Sequence, residues 1–185
     1  MENGFLGYNR FLEGEINAFG DTVSEYADRL LYYICTYTKN PTAAEDLMED
    51  VFAELIVRKK FFDTENAFRA YLYKTARNKA LNYIKKNARY TDWDDTGQQQ
   101  EPDEQLLDEQ MISRERKELL HACMAELKDD YREAVYLVYF EQLSYEQAAK
   151  VMKKSKKQID NLLVRAKAAL KTRLEREGIT NLADF

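Results

Sequence analysis

An all-helical fold of two small modules is predicted by three observations. Apolar residues recur with a 3.6-residue period over long stretches, and no run alternates apolar with polar. Breakers are few, six Gly and two Pro in 185 residues. The composition also breaks once: Thr91 to Gln110 holds eight acids and no basic residue, with Gly97, Pro102 and the run Gln98-Gln99-Gln100. Such a stretch buries too little apolar surface to fold alone and reads as a flexible, extended acidic linker. The expected division is a module at 1–90, the linker at 91–112 and a second module at 113–185.

In the first module, Val23, Tyr26, Ala27, Leu30, Leu31, Ile34 and Tyr37 form one apolar helical stripe, read as core. Asn40-Pro41 then supplies a cap and first-turn pair for the next helix. There Leu47, Met48, Val51, Phe52 and Leu55 take one arc, and Glu45, Asp46, Glu49, Asp50 and Glu54 the other. Five acids without an interspersed Lys suit a docking surface for a basic partner helix. The plainer alternative is a solvated face with acids near a helix start. The helix that follows has Phe68, Leu72, Ala76, Ala80 and Tyr83 on its core side. Its other side presents Tyr71, Lys74, Asn78, Asn82 and Lys85, flanked by Arg69, Arg77, Lys79, Lys86 and Arg89. No acid occurs from Arg77 to Tyr90. Cations, amides and an aromatic on one stripe match phosphates and the stackable bases of a single strand.

The second module carries two helix starts eleven residues apart, Ser144 with Gln147 and Ser155 with Gln158. Each is a capping box, in which the Ser accepts from the third amide and the Gln reaches back. Only Lys153 and Lys154 remain for the bend, so the helices are expected to cross steeply as a helix-turn-helix. Ala149 is small at the crossing, and Ile159, Leu162, Leu163, Ala166 and Leu170 form the buried stripe. Lys157, Asn161, Val164, Arg165 and Ala168 then point away from it, with Lys156 and Gln158 at the N-terminal end. Between Lys150 and Arg176 there are ten Lys or Arg against two acids, inside a chain of net charge −5. Local charge is what a DNA phosphate feels. Dipole compensation does not account for Lys153, Lys154, Lys156 and Lys157 at a helix start, where positive charge is unfavourable.

No apolar stretch approaches the roughly 18 residues of a membrane span, and Met1 to Arg10 lacks a signal-peptide pattern. A soluble cytoplasmic chain without direct membrane insertion is expected. Cys35, Cys123 and the lone His121 lack metal-ligand spacing, so no metal, cofactor or catalytic residue is expected. Two other classes compete with this reading of the charged faces. A magnesium-dependent nucleotide pyrophosphohydrolase would use Glu45, Glu49 and Asp50, but needs a second acidic cluster where the next helix offers Lys and Asn. A one-component repressor would dimerise on a palindrome, and no heptad stripe supports that.

The residues carry a resemblance. Ala44 to Phe52, Phe68 to Asn78 and Asn82 to Lys86 resemble region 2 of the extracytoplasmic-function sigma factors. Leu143 to Ala149, with Ser155, Ile159, Leu162, Arg165 and Ala166, resembles their region 4. The match runs from about Asn17 to Leu174. It implies an RNA polymerase sigma factor of two helical domains, region 2 and helix-turn-helix region 4, that makes and breaks no bond itself. Its implied partners are core RNA polymerase, promoter DNA and an anti-sigma factor. Glu45, Asp46, Glu49 and Asp50 would dock on the polymerase. Tyr71, Lys74, Arg77, Asn78, Asn82 and Lys85 would meet the opened minus-10 strand, with the segment Phe61 to Ala67 capturing a flipped base. Lys156, Lys157, Gln158, Asn161 and Arg165 would read the minus-35 element. The family commonly has Gly at the position of Lys153. A Lys with left-handed backbone there is expected to cost about 1 kcal/mol.

Overall fold

The computed structural model describes residues 3–88 and 122–176, and the acidic stretch expected at 91–112 and His121 lie outside them. The chain divides into two compact units, Met1–Asp103 and Glu104–Phe185. Among the described residues there is no strand.

The first unit is built from α1 (Gly4–Leu12), a 3-10 turn (Ile16–Ala18), α2 (Phe19–Thr38), α3 (Pro41–Arg58) and α4 (Glu65–Asn87). No helix was read from the sequence at α1, although Phe5, Tyr8, Phe11 and Leu12 fall on one of its faces at helical spacing. α1 lies close along α2 because Gly4 and Gly7 remove side chains at the contact. A Cβ on Gly4 would stand 2.9 Å from Tyr26 Cε2, and one on Gly7 2.6 Å from the Ala18 carbonyl oxygen. The buried Thr22 hydroxyl donates to the Gly4 carbonyl at 2.8 Å, so the close approach satisfies a polar group.

α2 sits at the centre, against α1, α3 and α4. Tyr26, Leu30 and Ile34 of the expected stripe are fully buried, whereas Val23, Ala27, Leu31 and Tyr37 are half-buried at its margin. Tyr33 and Cys35 are buried as well, because a helix enclosed by three neighbours hides a wider arc than an amphipathic surface helix. The core is aromatic: Phe68 lies 4.9 Å from Tyr8 and 5.5 Å from Tyr26 between ring centroids, and Tyr33 meets Tyr73 edge-on at 5.0 Å. Asn40 caps α3 by accepting from the Ala43 amide, with Pro41 in the first turn. α2 and α3 stop at Lys39 (φ 52°) and Lys59 (φ 44°), two left-handed C-caps made without glycine.

In the second unit, residues 122–125 are helical and precede α5 (Asp129–Val135), α6 (Tyr145–Met152) and α7 (Lys156–Arg176). The buried Arg132 guanidinium ties these parts together, donating to the carbonyls of Met124 (3.2 Å) and Leu127 (2.9 Å). After Val135 the chain widens into a π turn, Tyr136–Phe140, closed by the Glu141 amide on the Tyr136 carbonyl at 3.0 Å. The Tyr136 and Phe140 rings stack at 5.6 Å. Met124, Leu137, Ala148, Ile159, Leu163 and Ala166 fill the core. Leu162 and Leu170 of the expected stripe are half-buried, and Leu174 extends it by one turn. Cys35 and Cys123 are both buried and form no disulfide, and burial pushes the Cys35 thiol above its ordinary pKa.

Candidate nucleic-acid and partner interfaces

Both capping boxes close. The Gln147 amide donates to Ser144 Oγ at 3.2 Å and the Ser144 amide to Gln147 Oε1 at 2.8 Å. At the second helix the Gln158 amide donates to Ser155 Oγ at 3.2 Å and the Ser155 amide to Gln158 Oε1 at 2.7 Å. Between them Lys153 takes the left-handed conformation, φ 54°, and the Lys154 amide reaches back to the Ala149 carbonyl at 2.9 Å. Lys154 is further fixed by its ammonium on Asp130 at 3.0 Å. The bend therefore keeps its left-handed geometry without the glycine that would make it easy.

This geometry leaves Lys156, Lys157, Gln158, Asn161 and Arg165 exposed on α7, with Val164 64% exposed among them. Two of these side chains have further partners. The amide oxygen of Gln158 is spent on the cap. Lys156 donates to Glu146 of α6, a contact that raises the lysine pKa and lowers that of the carboxyl. Asp160 is exposed on the same helix. Sequence reasoning missed the Tyr139 neighbourhood: this half-exposed ring has the Lys167 ammonium 4.9 Å from its centroid. Nothing in the spacing signals that pair, because the π turn sets the ring's direction.

On α4, Lys74, Asn82 and Lys85 are exposed, whereas Tyr71, Arg77 and Asn78 are half-buried. Tyr71 is held within its own unit. Its hydroxyl donates to Glu54 Oε1 at 3.4 Å, its ring lies 5.1 Å from that of Phe62, and the Lys60 ammonium sits 5.0 Å from the ring centroid. Burial, with Glu54 adding, pushes the Tyr71 phenol upward. The segment expected to run from Phe61 to Ala67 ends earlier. Thr64 Oγ1 accepts from the Ala67 amide at 3.2 Å and starts α4 at Glu65, so only Lys59 to Thr64 is free of helix. Within it Phe62 is buried and Phe61 is 68% exposed.

On α3, Glu45, Asp46, Glu49 and Asp50 are all exposed. Glu54 departs from the expected acidic arc. It turns to α4 and its own last turn, 3.1 Å from Arg58 and 3.5 Å from Lys79. Lys79 lies equally 3.5 Å from Asp50, so one cation joins the acidic helix to the basic one. Among the described residues, no group of three or more His, Cys, Asp or Glu is placed to hold a metal ion.

An all-helical pair of units, one ending in a helix-turn-helix with a basic outer face and the other pairing an acidic helix with a basic one, defines a DNA-binding class of protein. Residues 22–90 match the family description Sigma-70 region 2, and residues 117–170 match Sigma-70, region 4. The chain is 28% identical over 153 residues to the ECF RNA polymerase sigma factor SigM of Bacillus subtilis, covering 79% of this chain and 88% of that one. It is 27% identical over 175 residues to the RNA polymerase sigma-H factor of Pseudomonas aeruginosa, covering 90% and 91%. Its fold is similar to that of the sigma factor RpoE from Bartonella quintana, solved with the anti-sigma factor NepR. That likeness has a TM-score of 0.66 at 21% identity and covers 86% of this chain and 98% of that one. The chain belongs to the sigma-70 family, as an extracytoplasmic-function RNA polymerase sigma factor acting in promoter-specific transcription.

Proposed function

We propose that the three charged surfaces divide the work of initiation. The exposed acids Glu45, Asp46, Glu49 and Asp50 dock on a basic helix of core RNA polymerase. The α4 stripe of Lys74, Asn78, Asn82 and Lys85, with Arg77 and the edge of Tyr71, takes the opened minus-10 strand. Lys156, Lys157, Gln158, Asn161 and Arg165 on α7 read the minus-35 duplex. The observation that carries this reading is the opposition of charge on two adjacent helices of one unit, acids outward on α3 and cations outward on α4. One unit so built can hold a protein and a nucleic acid at once.

The segment 91–112 acts in this reading as an acidic tether between the module at 1–90 and the module at 113–185. The chain works in the cytoplasm, and among the described residues no helix is long and apolar enough to cross a membrane. It performs no chemistry on a substrate. An anti-sigma factor is the expected regulator, a reading supported by the one bound to the Bartonella relative. The free chain and the chain with core enzyme distinguish this function from a repressor. A labelled promoter duplex should shift only when core polymerase is added. A strong shift by the chain alone, unchanged by core enzyme, would overturn the assignment.

A further inference from the structure

We propose that Tyr8 of α1 is a positioning residue for the loop that captures an unpaired base. The proposal rests on the loop reading given above. α1 precedes the family match, which begins at residue 22. Its Tyr8 hydroxyl nonetheless donates to the Lys60 carbonyl at 2.9 Å, across 52 residues of sequence. The Tyr8 ring is 0% exposed, stacked on Phe68 at 4.9 Å and 6.0 Å from Phe62.

Those contacts decide which of two neighbouring aromatic rings faces solvent. Phe62 is drawn inward, 5.4 Å from Phe68 and 5.1 Å from Tyr71, and Phe61 stays 68% exposed. α1 grips the start of the loop a second time, with the Lys59 ammonium 5.7 Å from the Phe11 centroid. Lys60 lies between these grips, its carbonyl held by Tyr8 and its ammonium 5.4 Å from the Phe62 ring and 5.0 Å from the Tyr71 ring. A planar ring receives a base only if its height and tilt are fixed beforehand, since stacking falls away as the faces separate. The loop has no helix of its own to fix Phe61. The hydrogen bond from α1 supplies that restraint and connects the start of the chain to base selection.

Tyr8→Phe deletes the donor and keeps the ring. Two measurements on the full chain test its effect: hydrogen exchange across residues 59–64, and selection of a randomised single-stranded DNA library by holoenzyme. The variant should retain wild-type helicity and affinity for core enzyme. Its loop amides should exchange about fivefold faster, and discrimination at one library position should fall by a similar factor, the scale of one neutral hydrogen bond. Phe61→Ala should lose the same library position without faster exchange at Lys59 and Lys60. Unchanged base preference in Tyr8→Phe, whether or not the loop loosens, overturns the positioning role. A wild-type holoenzyme that shows no preference at any single-stranded position refutes the loop reading itself, and the Tyr8 proposal with it.

Discussion

Reversing Asp46 and Glu49 to Lys tests the docking face with little disturbance of the fold. Both are exposed on α3, and neither has an ion-pair partner among the described residues. Asp50 is the poorer choice. It stands 3.5 Å from Lys79, so a lysine there would repel a cation that also holds Glu54. An exposed ion pair contributes about 0.2–1 kcal/mol. Reversal loses that attraction and adds repulsion of comparable size, so the double variant should lose about 1–4 kcal/mol of binding. That corresponds to roughly a 5- to 700-fold rise in Kd for core polymerase. The loss should shrink at high salt, because the Debye length falls from about 10 Å at 0.1 M to about 3 Å at 1 M. Fluorescence anisotropy of labelled chain titrated with core enzyme at two salt concentrations gives the number, and a circular dichroism melt checks the fold. A Kd within twofold of wild type at low salt, with the fold intact, would remove this face from the interface.

Other outcomes follow from single residues. Lys153→Gly relieves a left-handed lysine and should stabilise the helix-turn-helix unit by about 1 kcal/mol, raising its melting temperature by about 4–8 °C. A lower melting temperature would mean that the lysine contributes more than its backbone costs. Arg165→Ala on the exposed face of α7 should weaken holoenzyme binding to the upstream duplex and reduce the log–log salt slope by about 1. An unchanged slope would place Arg165 away from phosphate and base. The Tyr8 phenol is pushed from 10.0 to about 12, chiefly by burial, with Tyr71 adding. Unfolded tyrosine ionises first, so stability present below about pH 10 should be lost as pH rises toward 12. Denaturant melts across that range should show the decline, with a smaller slope in Tyr8→Phe. A flat profile would contradict the burial of this hydroxyl.

The helix-turn-helix was legible because its signals are local. A capping box occupies four consecutive residues, and both boxes close on the atoms that the pattern named. The acidic face of α3 was legible for the same reason, since helical spacing fixes which acids share an arc. Glu54 was not, because its direction depends on Lys79 and Arg58 and thus on how α4 lies beside α3. Tyr71 belongs to the same case: helical spacing assigns it to the stripe, but packing against Phe62 turns much of the ring inward. α1 went unread although Phe5, Tyr8, Phe11 and Leu12 recur at helical spacing, and only its close seat on α2, made by Gly4 and Gly7, leaves no side-chain signal. Lys39, Lys59, Gln142 and Lys153 all take positive φ without being glycine, so three of those turns carried no residue-type signal. Lys153 was foreseen only through the family resemblance.

In the proposed function, this chain gives core polymerase its choice of promoter by holding two DNA elements at once. Run-off transcription on a genomic fragment library with purified core enzyme tests it most directly. Transcripts should start downstream of a shared pair of short motifs. Variants of α4 should alter the downstream motif, and variants of α7 the upstream one. Transcripts whose start sites share no motif pair, or a pattern that ignores both sets of variants, would contradict it.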